Sequence, residues 1–248
     1  MCYSSDASPP IDRIHGGASS HDDLVLTAAD GNLLAAFAAN SANPKGPGVV
    51  ILPDIRGLHH FYEELALRFA EHGYDTVALD YFGRTAGASK RDDDFPWKDH
   101  LPLTTLEGVS ADTTAAIAQL RHANPNRVVF TLGFCFGGSN SWHQAARGHG
   151  LAGAIGFYGN PKRPPVGPIE VVSRMDCPIL ALMGGDDPGI PADVIEEYRQ
   201  ALEAAGVDNE VVTYDGAPHS FFDRQQEAFA DESADAWRRT LAFIERLS

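Results

Sequence analysis

The sequence predicts an α/β protein with a mostly parallel central sheet and helices on both of its faces. Two observations carry that prediction. Short apolar segments at 49–52, 76–79, 127–132 and 178–183 read as strands buried on both sides. Segments with helical spacing alternate with them along the chain. At 248 residues, 44% of them hydrophobic and 21% charged, one domain of this class can bury a sizeable core.

Residues 1–20, rich in Ser, Asp, Pro and Gly, read as a flexible lead-in, and 21–248 as a single domain. Strand candidates at 24–27 and 33–39 flank Asp30-Gly31-Asn32, a hairpin turn signal. The buried strand 49–52 ends at Pro53-Asp54, and a helix over 61–72 is stopped by Gly73. After the strand 76–79, residues 85–102 contain Asp92-Asp93-Asp94 and are too polar for core; they read as a solvated loop or a lid. Further on, the pattern predicts a helix at 105–122, a strand at 127–132, a helix at 139–147 and strands at 152–158 and 178–183. A helix at 191–205, a strand at 210–214 and a terminal helix at 225–247 complete the order.

The net charge of −15 argues against nucleic acid or anionic membranes as partners. It also requires a local basic residue wherever an anionic substrate binds. Cys2, Cys135 and Cys177 are too few and too scattered for a disulfide framework or a zinc site, which points to a reducing compartment. The first residues have neither a basic n-region nor an apolar h-region, and no apolar run nears the roughly 20 residues that span a bilayer. A cytoplasmic location is expected. The glycine pairs lack the phosphate-loop and dinucleotide patterns, so no nucleotide is expected.

The most informative stretch is Gly133-Phe134-Cys135-Phe136-Gly137-Gly138, between a predicted strand and a predicted helix. Strand, sharp Gly-flanked turn and helix form the setting of a nucleophile elbow, here with Cys at its centre. Such a turn crowds the backbone, so its neighbours must be small. It also aims the N-terminus of the next helix at the sulfur, which favours a thiolate. In open parallel sheets the site lies beyond the carboxyl ends of the strands, and three other polar segments end there. They are Pro53-Asp54-Ile55-Arg56-Gly57, Gly185-Asp186-Asp187-Pro188 and Ala217-Pro218-His219-Ser220. The order nucleophile, acid, histidine is that of the α/β-hydrolase triad. His219 would serve Cys135 as general base and acid, with an Asp orienting its imidazole. The N–H groups of Ile55 and Phe136 could form an oxyanion hole.

On these residues the chain resembles the dienelactone hydrolase (carboxymethylenebutenolidase) family of α/β-hydrolases, over most of its length from about residue 22. The resemblance implies hydrolysis of a cyclic enol-lactone, dienelactone, to maleylacetate in the breakdown of aromatic compounds, by a monomer without metal or organic cofactor. It maps the triad onto Cys135, Asp187 and His219, leaving Asp186 as a turn or cap residue. It places Tyr158 at a pocket-lining strand end and Arg84 at the first of two arginines that hold the substrate carboxylate.

Two positions depart from the family pattern. The family has a thiol-activating Glu where this chain has Asp54, which could take that part or remain a loop carboxylate paired with Arg56. The second arginine position holds Asp223, with Arg224 one residue further on. Both departures favour, as an alternative, a broader carboxylesterase acting on aryl or short-chain esters. A non-enzymatic thiol sensor or binding protein is the alternative of another class.

Overall fold

The computed structural model describes residues 7–248; Cys2 and the rest of 1–6 lie outside the described residues. Contacts divide the chain into two compact units, with the boundary at residues 129 and 130.

The N-terminal unit holds β1 (Ala18–Thr27), β2 (Leu33–Ser41), β3 (Gly48–Leu52) and β4 (Asp75–Leu79), with α1 (His60–Glu71) between the last two. It also holds two single-turn helices, α2 (Gly83–Ala86) and α3 (Trp97–His100), followed by the long α4 (Leu106–Arg121). The strands lie in the order β1-β2-β4-β3. The first two pairings are antiparallel and the third is parallel. The hairpin register is set by the turn after Thr27, which faces Leu33. There Gly31 takes φ 84°, and the Asn32 N–H donates to Asp30 Oδ1. Every residue of β3 is buried, as its unbroken apolar run requires.

β1 starts six residues earlier than the apolar pattern predicts. Residues 19–23 are polar because β1 is an edge strand of this sheet, whose exposed side chains need not be apolar. The segment before it runs along α1, where Arg13 pairs with Glu64 and the Ile14 N–H donates to Glu71 Oε2. Gly17 lies so close to α1 that a Cβ would meet Glu71 Cα at 2.8 Å. α4 begins as predicted, with Thr105 Oγ1 accepting from the Gly108 N–H at 3.0 Å.

Residues 85–102 are not wholly a solvated loop. Arg91 is buried and pairs with the fully buried Asp80, Nη2 to Oδ2 at 2.8 Å. Asp80 accepts in addition from the N–H groups of Leu58 and Phe82. Phe95 covers the guanidinium, with its ring centre 4.6 Å away. A charge in a polar stretch is buried here because its partner and donors are all supplied.

The C-terminal unit holds β5 (Val129–Phe134), β6 (Gly153–Phe157), β7 (Ile179–Gly184) and β8 (Asn209–Tyr214), parallel throughout and in sequence order. α5 (Phe136–Gln144) follows β5, α6 (Ala192–Ala204) follows β7, and α7 (Ala230–Arg246) closes the chain. A 3-10 turn at Pro168–Arg174 links β6 to β7. α7 starts five residues later than expected, because residues 220–229 are used in turns, with the Asp223 and Gln225 N–H groups both donating to the Ser220 carbonyl. Among the described residues, no helix is long and apolar enough to cross a membrane.

Replacing Arg91 by Met would leave Asp80 buried and without its counter-charge. The expected loss is about 3–5 kcal/mol of unfolding free energy, measured by urea denaturation near neutral pH.

Candidate active site

β5 runs directly into α5 through a single residue, Cys135, whose backbone sits at φ 54° and ψ −111°. A left-handed conformation is unfavourable for any residue with a Cβ, so the surroundings must enforce it. They do so by close approach. A Cβ on Gly133 would lie 2.0 Å from the Gly137 carbonyl oxygen, and one on Gly138 would lie 2.7 Å from the Phe157 carbonyl oxygen. The Cys135 N–H donates to that same Phe157 carbonyl at 3.0 Å, which fastens the turn to the end of β6. α5 therefore begins at Phe136, three residues before the predicted start, with its N-terminal N–H groups at the cysteine.

Asp187 and His219 lie in the loops after β7 and β8. The His219 Nδ1–H donates to Asp187 Oδ2 at 2.6 Å, and the Asp187 side chain is only 2% exposed. The other carboxylate oxygen accepts from the Gly189 N–H at 2.9 Å. Neighbouring Asp186 points to solvent. The two loops are tied to each other, with the Asp186 N–H donating to the Ala217 carbonyl and the Gly185 N–H to the Tyr214 carbonyl. Burial disfavours a charged His219, but Asp187 and the Cys135 sulfur outweigh it and raise the imidazole pKa to about 10.

A pocket of about 200 Å³ opens at this point, lined by Cys135, Phe136, Tyr158 and His219 together with Ser139, Asn160, Arg163, Gly189 and Ile190. Three non-glycine residues among those described take positive φ, namely Cys135, Tyr158 (38°) and Ser220 (64°). Two of them line this pocket and the third follows His219. Such strain gathers where a site is held in one geometry.

Tyr158 is fully buried, with its hydroxyl donating to Asp223 Oδ2 at 3.0 Å and its ring 5.0 Å from that of His219. Asp223, which stands at the second arginine position, thus serves to hold a pocket wall. Arg224 donates to Ser220 Oγ at 2.8 Å and is not among the residues lining this pocket. Ser139, Asn160 and Arg163 were not identified from the sequence. The one available signal was Lys162-Arg163 just beyond a predicted strand end, a basic pair in an acidic chain.

The remaining candidates belong to the N-terminal unit. Asp54 follows β3 and is buried. Its Oδ1 accepts from the Arg56 N–H at 2.8 Å, and its Oδ2 lies 3.4 Å from the Arg56 guanidinium. Burial would raise its pKa, but His59 and Arg56 together bring it below the usual value. The loop-carboxylate part of the expectation is therefore in use. Ile55 sits within this turn, between Asp54 and Arg56. Arg84 is engaged by two acids: Nη1 donates to Asp112 Oδ2 at 2.5 Å, and Nη2 to Asp30 Oδ2 at 2.8 Å. No group of three or more His, Cys, Asp or Glu side chains able to hold a metal ion occurs among the described residues.

The family model described as the dienelactone hydrolase family matches residues 34–248. A Yersinia pestis protein with a provisional carboxymethylenebutenolidase name is 31% identical over 233 residues, which cover 86% of this chain and 84% of that protein. The carboxymethylenebutenolidase of Rhodococcus opacus is 29% identical over 262 residues, 99% of this chain and 97% of that one. Among solved structures, a Klebsiella pneumoniae protein provisionally named a dienelactone hydrolase superposes with a TM-score of 0.76 at 27% identity, covering 91% of this chain and 98% of that chain.

Two outcomes are expected from this geometry. Gly133→Ala places a methyl group against the Gly137 carbonyl and should cost at least about 3 kcal/mol of stability, read from urea unfolding. His219 is raised from its ordinary 6.5 to about 10, so its ion pair contributes fully below pH 6.5 and is lost as pH climbs through about 10. The stability gap between the wild-type chain and His219→Gln should therefore be widest below pH 6.5 and shrink over that window, measured by urea unfolding at a series of pH values.

Proposed function

Because the chain belongs to the dienelactone hydrolase family and is a carboxylic ester hydrolase, we propose that it opens lactones or cleaves activated esters through Cys135, His219 and Asp187, with no cofactor. The observation that carries this reading is the meeting of Cys135 and His219 on one pocket, with Asp187 bound behind the imidazole at 2.6 Å. Loops fastened to rigid strand ends hold all three in place.

The chemistry follows from the roles of these groups. With the sulfur as thiolate and His219 protonated, the thiolate attacks the acyl carbon and the carbonyl oxygen becomes an oxyanion. The N–H groups at the head of α5, that of Phe136 first, would stabilise it. The C–O bond to the leaving group then breaks, and His219 gives that oxygen its proton, leaving a thioester on Cys135. Neutral His219 next takes a proton from water, whose hydroxide attacks the thioester carbonyl. The thiolate leaves, the free acid forms, and the starting ion pair is restored. Asp187 holds the imidazole in the tautomer that directs Nε2 at the sulfur.

A thiolate leaves easily, so the tetrahedral adduct of an amide falls back to starting material. Lactones and enol or aryl esters have better leaving groups and go forward. Dienelactone, opened to maleylacetate, is the leading substrate on family grounds. The engagement of Arg84 with Asp30 and Asp112 favours a second reading in which neutral aryl or short-chain esters are also accepted.

Cys135→Ala should abolish turnover of both dienelactone and an aryl acetate, and Asp187→Asn should lower kcat by roughly 10³–10⁴. Steady-state kinetics on the two substrates checks both. Ester turnover that survives stoichiometric alkylation of Cys135 would overturn the reading.

A further inference from the structure

We propose that Arg163 selects substrates whose acyl portion carries an anionic group, by supplying the cation of the Cys135 pocket. This deepens the hydrolase reading and rests on it. Arg163 is the one arginine or lysine among the residues lining that pocket. The neighbouring basic residue, Lys162, points elsewhere and pairs with Glu197 of α6. Of the two arginines expected from sequence, Arg84 is held by Asp30 and Asp112, and Arg224 donates to Ser220.

The position of Arg163 is built rather than incidental. Its guanidinium carbon lies 4.1 Å from the centre of the ring of Phe136, the residue that follows the nucleophile. The loop that carries it is tied down through Asn160. The Asn160 carbonyl accepts from Ser139 Oγ at 3.0 Å and from the Arg163 N–H at 3.3 Å. Its side chain donates to the Gly189 carbonyl at 3.3 Å and accepts from the Lys162 N–H at 2.8 Å. One residue thus links the first turn of α5, the Asp187 loop and the arginine. In a chain of net charge −15, a cation fixed at this pocket counters a field that otherwise repels anions. Its planar fork suits a carboxylate.

The test uses two 4-nitrophenyl esters with the same leaving group and acyl chains of matched length, the hydrogen glutarate and the valerate. In Arg163→Met the ratio of kcat/KM for glutarate over valerate should fall about ten-fold, through KM for the glutarate ester. Arg163→Lys should restore part of the ratio, and high salt should lower it in the wild-type chain. A second measurement is independent of turnover. Calorimetric binding of the glutarate dianion to the Cys135→Ala chain should weaken about ten-fold when Arg163→Met is added. An unchanged ratio, or an equal fall for both esters, overturns the proposal. So does glutarate binding that ignores the substitution. Failure of the hydrolase reading looks different: full turnover of both esters by Cys135→Ala, with Arg163-dependent glutarate binding intact.

Discussion

The backbone of Cys135 is held at φ 54° by contacts that leave no space for a side chain at Gly133 or Gly138. That one crowded turn determines much of the C-terminal unit around it. It lets β5 end and α5 begin within a single residue, so the helix N-terminus and the sulfur occupy the same end of the sheet. It presses α5 against the carboxyl end of β6, where Tyr158 in turn is left-handed and walls the pocket. The strain is sustained because strand hydrogen bonds and packed glycines over-determine the conformation.

The partners of the cysteine are held by a different principle. Asp187 and His219 sit on loops, yet each loop is tied to its neighbour through backbone hydrogen bonds, and the carboxylate has a donor on each oxygen. A buried carboxylate held at both oxygens in this way keeps a fixed direction and so orients the imidazole. In the N-terminal unit the same rule appears at Asp80, whose buried charge is met by Arg91 and two backbone N–H groups. At both sites the buried carboxylate meets a donor on each oxygen.

The partners that each side chain meets account for the two arginine positions of the family pattern. Arg84 is present at the expected position, but Asp30 and Asp112 hold it. Asp223, where an arginine was expected, binds the Tyr158 hydroxyl and so keeps the pocket wall in place. Arg163 reaches the pocket from the loop after β6, which the sequence marked only by a basic pair beyond a strand end. A residue's type is written in the chain, but the partner that claims its charge comes from a distant segment.

The sequence by itself determined the fold class, the order of the main strands and the position of the elbow. Those depend on local pattern: apolar runs with a strand's length, helical spacing, and glycines on either side of one cysteine. It also singled out His219 and the Asp186-Asp187 pair, because loops after parallel strands meet at one end of a sheet, while the choice of Asp187 came from the family resemblance. Only the tertiary structure decided that Asp187 faces His219 while Asp186 faces solvent, and that Arg91 is buried. The polar half of β1, the late start of α7 and the inward place of Arg163 were likewise hidden. In each case the deciding contact joins residues far apart in the chain, and a side chain's direction and partner are fixed only when both ends are in place.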